Sequence, residues 1–169
     1  METKLVRLGL GQLLLVAGIL LTSVAPVPAA AQEITGPFRI TGIQAKLYYD
    51  GAATFSRDVL AAPEFSFWNT IIGEGDAEGP SNSTLVLVEV SGTDATMATP
   101  TRRIELIAVA GRRVLLRRAV DIGLFAKGKY YAAFWLYDTG CQPVKLTARI
   151  LGQPRRSILV KNIPFKCGE

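Results

Sequence analysis

Three carboxylates at alternate positions, Glu74, Asp76 and Glu78, precede Gly79 in the twelve-residue stretch GEGDAEGPSNST, residues 73–84. Calcium loops use oxygen ligands at positions 1, 3 and 5 and a glycine at 6, which is the spacing seen here. Position 12, where a bidentate glutamate closes the coordination shell, is Leu85. The flanking runs are apolar and β-like rather than helical, so an EF-hand is excluded. Two readings remain for Glu74, Asp76 and Glu78: a looser calcium site, or a solvated recognition loop. The stretch also carries Asn82-Ser83-Thr84, a glycosylation sequon that has meaning only in a eukaryotic secretory route. Glu74, Asp76, Glu78 and Asn82 thus form a candidate binding loop for a protein or glycan partner.

The chain contains no histidine. No Ser-His-Asp triad, Cys-His dyad or histidine-ligated metal can be built from it. Paired carboxylates remain available for glycan hydrolysis, which needs two of them about 5–9.5 Å apart across a cleft. No local motif marks such a pair, so the first expectation is a non-catalytic binding protein without a cofactor. A carboxylate-dependent glycan hydrolase is the alternative.

The first thirty-one residues read as a secretory signal peptide. Lys4 and Arg7 give a positive start, Leu13 to Leu21 an uninterrupted apolar core, and PVPAAAQ a small-residue end. Cleavage is expected near Ala31, before Gln32. The core is short for crossing about 30 Å of hydrocarbon, and no later stretch is apolar enough to span a membrane. The expected location is the periplasm or the outside of the cell, with residues 32–169 as one domain. Only two cysteines, Cys141 and Cys167, are present. In an oxidising compartment such a pair is expected to form a disulfide. The C-x-x-C spacing of redox sites is missing.

Charge is unevenly spread. Residues 32–100 hold three Lys/Arg and nine Asp/Glu, whereas residues 101–169 hold fourteen and four. A basic C-terminal half could serve an anionic partner. If the halves pair across a sandwich, the charges should instead interleave, and this is the expectation adopted. The charge is too small and scattered to suggest nucleic acid.

The elements that position these residues follow a period of two. IQAKLYYD places Ile43, Ala45, Leu47 and Tyr49 on one face; VKLTARIL does the same for Val144, Leu146, Ala148 and Ile150. Such alternation marks half-buried strands. STLVLVEV and YYAAFWLY are apolar on both faces, as for central strands. Eight or nine strands are expected, near 39–49, 52–58, 65–72, 84–91, 103–110, 113–121, 129–138, 144–151 and 157–165. Short strands at this spacing imply an all-β, antiparallel, immunoglobulin-like sandwich with one disulfide, preceded by a signal-peptide helix.

Two hairpins have a derivable register. A two-residue turn at Gly111-Arg112 sets Val109 opposite Val114, Ile107 opposite Leu116 and Glu105 opposite Arg118. That face is expected to be core with an ion pair at its rim; the face of Ile104 and Leu106 should be wetter. A turn through GQPRR sets Leu151 opposite Ser157, which carries Cys141 opposite Cys167, within disulfide reach. Most aromatics are expected in the core. Tyr48 is the best exposed candidate, because its face also carries Gln44, Lys46 and Asp50. Trp68, sharing a face with Ser66 and Thr70, is the second.

Overall fold

The computed structural model describes residues 38–92, 103–123, 127–152 and 158–168. The signal peptide and its cleavage point near Ala31 lie outside the described residues. Eight strands follow in chain order: β1 Phe38–Tyr49, β2 Thr54–Phe55, β3 Ser83–Gly92, β4 Arg103–Ala110, β5 Arg113–Asp121, β6 Lys129–Tyr137, β7 Val144–Ile150 and β8 Ile158–Ile163. The fold is all-β, with no helix among the described residues. No described helix is therefore long and apolar enough to cross a membrane.

The strands form two antiparallel sheets, ordered β2-β1-β3-β6 and β5-β4-β7-β8. The alternating apolar residues explain how the two sheets pack. Val86, Val88 and Val90 of β3 and Ala132, Phe134 and Leu136 of β6 all face inward and are buried. They join Ile43, Ala45 and Leu47 of β1. The second sheet supplies Ile104, Leu106 and Ala108 from β4 and Val144, Leu146 and Ala148 from β7. Each fully buried Val, Leu, Ile or Phe contributes about 1.5–3 kcal/mol relative to exposure. Beyond β2, Ser56 and Asp58 continue to cover the edge of β1. Ser56 Oγ accepts from Leu47 N at 2.9 Å, and Asp58 Oδ1 accepts from Ala45 N at 2.9 Å.

Several expectations need correction. The segment 65–72 is not a strand; it forms turns and makes one parallel bridge, Trp68 to Lys166. β6 is an edge strand rather than a central one. The β4–β5 turn does pair Val109 with Val114, but an irregularity between Ala108 and Val109 shifts the rest by one residue. Glu105 consequently lies opposite Ala119, and Arg117 opposite Ile107. The faces of β4 are also reversed. Ile104 and Leu106 are fully buried, whereas Ile107 and Val109 are only half-buried. Both rows of β4 are apolar, so the row that faces the other sheet is decided by tertiary packing.

The cysteine pair forms the disulfide, with Cα atoms 4.6 Å apart. The register that suggested it is off by one: Val144 lies opposite Ile163 and Arg149 opposite Ile158. The ladder ends at Ile163, and the chain then runs free of it through Pro164 and fully buried Phe165. That freedom lets Cys167 reach Cys141 despite the shift.

Charge segregates rather than interleaves. All four strands of the second sheet come from the C-terminal half, and they hold seven Lys/Arg against Glu105 and Asp121.

Candidate functional site

One end of the first sheet gathers four aromatic side chains on its outer face. The tight connection after Tyr49 brings β2 back so that Phe55 lies opposite Tyr48. Tyr48 in turn lies opposite Ser83, and Ser83 opposite Tyr137. The cross-strand row is therefore Phe55, Tyr48, Ser83, Tyr137: a small residue between aromatic walls. Trp135 stands two residues before Tyr137 on the same face of β6. A groove of about 320 Å³ results, lined by Tyr48, Asp50, Phe55, Ser83, Trp135 and Tyr137.

The rings support one another. Tyr48 and Phe55 have centroids 5.2 Å apart, and Trp135 meets Tyr48 edge-on at 5.7 Å. Phe55 and Trp135 are 5.8 Å apart. Trp135 and Tyr137 are nearly parallel, at 10° and 6.4 Å. Phe55 is 41% exposed, Trp135 39% and Tyr137 66%, whereas Tyr48 is half-buried. The exposed aromatic surface is thus grouped at one end of the sheet rather than scattered. Tyr48 takes its place as one wall of this groove.

Further along the same face, Glu89 of β3 anchors β6. Its carboxylate accepts from Thr41 Oγ1 at 2.8 Å, Tyr131 OH at 2.8 Å and Lys129 Nζ at 3.0 Å. The hydrogen bonds from Tyr131, Lys129 and Thr41 hold the Glu89 carboxyl below its ordinary value, and the bond to Glu89 raises the Tyr131 phenol. Lys129 is raised by the same partner.

The outer face of the second sheet is arranged differently. Glu105 is 7% exposed and sits between Arg117, at 3.2 Å, and Arg149. Burial pushes its carboxyl up, but hydrogen bonds from Arg149 and Arg117 outweigh burial and leave it below the ordinary value. Arg103 pairs with Asp121 and Arg113 with Asp138. Much of this sheet's positive charge is therefore already paired.

The acidic loop is folded against residues 66–69 and Tyr49. Glu74 Oε2 accepts from Asn69 Nδ2 at 2.7 Å, and Asp76 Oδ2 accepts from Ser66 N at 2.9 Å. The Glu78 backbone N–H donates to Tyr49 OH at 3.2 Å. Gly75 is at φ +72°, and a Cβ there would come within 2.5 Å of Ser66 O, so the turn requires glycine. Among the described residues, no three His, Cys, Asp or Glu side chains are grouped to hold a metal ion. Asn82 instead lines a second, more polar hollow of about 320 Å³ with Ile71, Arg113, Asp138 and Gln142.

Trp68, 46% exposed, lies against the chain's tail. The indole covers Gly168, where a Cβ would approach Trp68 Cζ2 to 2.7 Å. Asn69 fixes the same tail: its N–H donates to Lys166 O at 2.8 Å, and its Oδ1 accepts from Gly168 N at 2.7 Å. The structure thus separates the sequence candidates. Tyr48 belongs to the groove, Trp68, Glu74 and Asp76 brace a loop and tail, and Asn82 lines the second hollow. Sequence reasoning missed Phe55, Trp135 and Tyr137. The signal was present in YYAAFWLY: Ala132, Phe134 and Leu136 alternate with Tyr131, Trp135 and Tyr137, so the bulkiest amphipathic rings share one row.

No protein-family model matches the chain, and no curated protein matches it in sequence. Among solved structures, a beta-glucuronidase of Bifidobacterium dentium complexed with coumarin-3-O-glucuronide is similar at 13% identity and a TM-score of 0.41. The similarity covers 77% of this chain and 18% of that one, so the chain spans only a small part of the glucuronidase's length.

Proposed function

We propose that this chain is an exported, non-catalytic sandwich that binds glycan chains through the aromatic groove of its first sheet. The carrying observation is the row Phe55, Tyr48, Ser83, Tyr137 with Trp135 beside it. A sugar ring offers C–H groups on its faces and hydroxyls around its rim. Aromatic faces suit the former, and Asp50, Ser83 and the tyrosine hydroxyls suit the latter.

A binding role fits the chemistry better than hydrolysis. The groove is lined by one carboxylate, Asp50, and the second hollow by one, Asp138; glycan hydrolysis uses two. The anion-binding alternative has support from the basic second sheet, but Glu105, Asp121 and Asp138 already pair four of its arginines. Export is supported by the leader pattern of residues 1–31 and by the disulfide. The finer fold reading is immunoglobulin-like. Lettering β1 and β3 to β8 from A to G gives A-B-E on one sheet and D-C-F-G on the other. Immunoglobulin constant domains have A-B-E-D against C-F-G, so this order differs by the sheet that D joins.

The test uses the chain's two tryptophans. In a Trp68→Phe background, only Trp135 reports. Titration with a panel of soluble polysaccharides should give a saturable emission change with at least one of them. Phe55→Ala should weaken that binding by roughly five- to thirtyfold, the equivalent of about 1–2 kcal/mol for one aromatic contact. Emission unchanged across the panel, or binding indifferent to Phe55→Ala, would remove the proposal.

A further inference from the structure

We infer that the edge of β6 facing away from β3 is a docking site for an extended segment of a partner protein whose side chains alternate apolar and acidic. A sheet edge offers unpaired N–H and C=O groups to any passing strand, and folded proteins normally block such edges. Three of the four edges here are blocked by recognisable devices. The edge of β1 is covered by the two-residue β2 and then by Ser56 and Asp58. β5 is irregular next to Val114 and turns Arg118 to the inner side, opposite buried Leu106. β8 is six residues long and turns Lys161 to the inner side, opposite buried Leu146. Inward-pointing charges on an edge disfavour further pairing.

Among the described residues, β6 has none of these. Its nine residues, KYYAAFWLY, pair with β3 without a register shift. It has no proline, and its only charge is Lys129 at the start, held by Glu89. A strand laid against it would place alternate side chains beside Tyr131, Ala133 and Trp135 on the outer face, which selects apolar residues. Its other side chains would point into the opening between the two sheet edges, toward β5, which packs across from β6. There Arg118 is exposed and carries no ion pair among the described residues, which selects Asp or Glu.

The same arginine argues against a second copy. Pairing β6 with β6 around a two-fold axis would bring two β5 edges together, each with an exposed Arg118, and like charges at such range oppose association. Strand addition of this kind draws affinity from main-chain hydrogen bonds and specificity from the alternate side chains.

The site is tested with a fluorescein-labelled nine-residue peptide of alternating Val and Glu, against its Val/Lys counterpart and an N-methylated Val/Glu version. The Val/Glu peptide should bind saturably, and its binding should weaken with added salt. N-methylation, which removes main-chain donors, should weaken it at least tenfold, and the Val/Lys peptide should bind at least tenfold less well. Arg118→Glu lies on the exposed strand edge, and its folding is checked by its melt; it should reverse the preference between the two charges. Arg118→Glu lies outside the aromatic groove and should leave polysaccharide binding unchanged, so failure of one site is distinguishable from failure of the other. No binding of Val/Glu peptide at 1 mM, equal binding of the N-methylated peptide, or an unreversed preference would overturn the inference. So would a dimer found by sedimentation in the absence of peptide.

Discussion

Removing the disulfide gives the sharpest quantitative expectation. Cys141 and Cys167 are 26 residues apart in sequence. In the chain-entropy account, opening a loop of that size restores freedom to the unfolded chain worth about 3.5 kcal/mol at 25 °C. The folded state should change little, because the tail has other anchors. Phe165 is fully buried, Gly168 N donates to Asn69, and Lys166 bonds both Phe67 and Asn69. The Cys141→Ser/Cys167→Ser variant should therefore keep the wild-type near-ultraviolet spectrum yet unfold more easily. With a urea m-value of about 1.5–2 kcal/mol/M for a chain of this size, its midpoint should fall by roughly 2 M. Wild-type protein fully reduced before unfolding should shift equally. A midpoint change below about 0.5 M, or a native spectrum altered in the variant, would refute the view that the bridge acts mainly on the unfolded chain.

Two further expectations concern single polar groups. Glu89 and Glu105 are both held below their ordinary value of 4.5. A depressed carboxyl contributes stability that is present above its unfolded-state value and lost as pH falls through its folded-state value. Melts should therefore lose stability as pH drops below 4.5; the Glu89→Gln/Glu105→Gln variant should start lower at pH 7 and lose less, and parallel curves would contradict this. Thr70 is fully buried, and its Oγ1 has no hydrogen-bond partner among the described residues. Thr70→Val keeps the shape and removes the unpaired hydroxyl, so it should raise stability by about 1 kcal/mol; a fall of similar size in urea unfolding would show that the hydroxyl is satisfied in solution.

The fold was legible wherever burial is one-sided. β1 and β7 alternate cleanly, and their spans and inward rows follow from the sequence. The pairing of Cys141 with Cys167 was also legible, because two cysteines behind a leader-like segment are expected to pair. Register was legible only near a turn. Val109 pairs with Val114 as the turn demands, but the irregularity directly beyond that pair depends on packing that no local pattern records. The faces of β4 were read in reverse because Ile104 and Leu106 compete with Ile107 and Val109 on nearly equal terms, and burying Glu105 is tolerated once Arg117 and Arg149 flank it. The groove was half legible. Tyr48 stands among polar neighbours and declares itself, whereas Trp135 and Tyr137 sit in a run apolar on both faces. That run reads as a central strand until the sheet order makes it an edge. The segment 73–84 drew notice for its acids; Glu74 accepts from Asn69 and Asp76 from Ser66, while Glu78 is held through its backbone N–H.

The direction of β1 matters for display. The polypeptide enters it at Phe38, paired with Gly92, and leaves at Tyr49 beside Thr54. Twelve extended residues span roughly 35 Å, so the aromatic cluster sits a full strand's length from the point of entry. Residue 38 and the ring cluster therefore mark opposite ends of the first sheet. A bead coupled at the Phe38 end of the sheet would leave the aromatic end facing solvent.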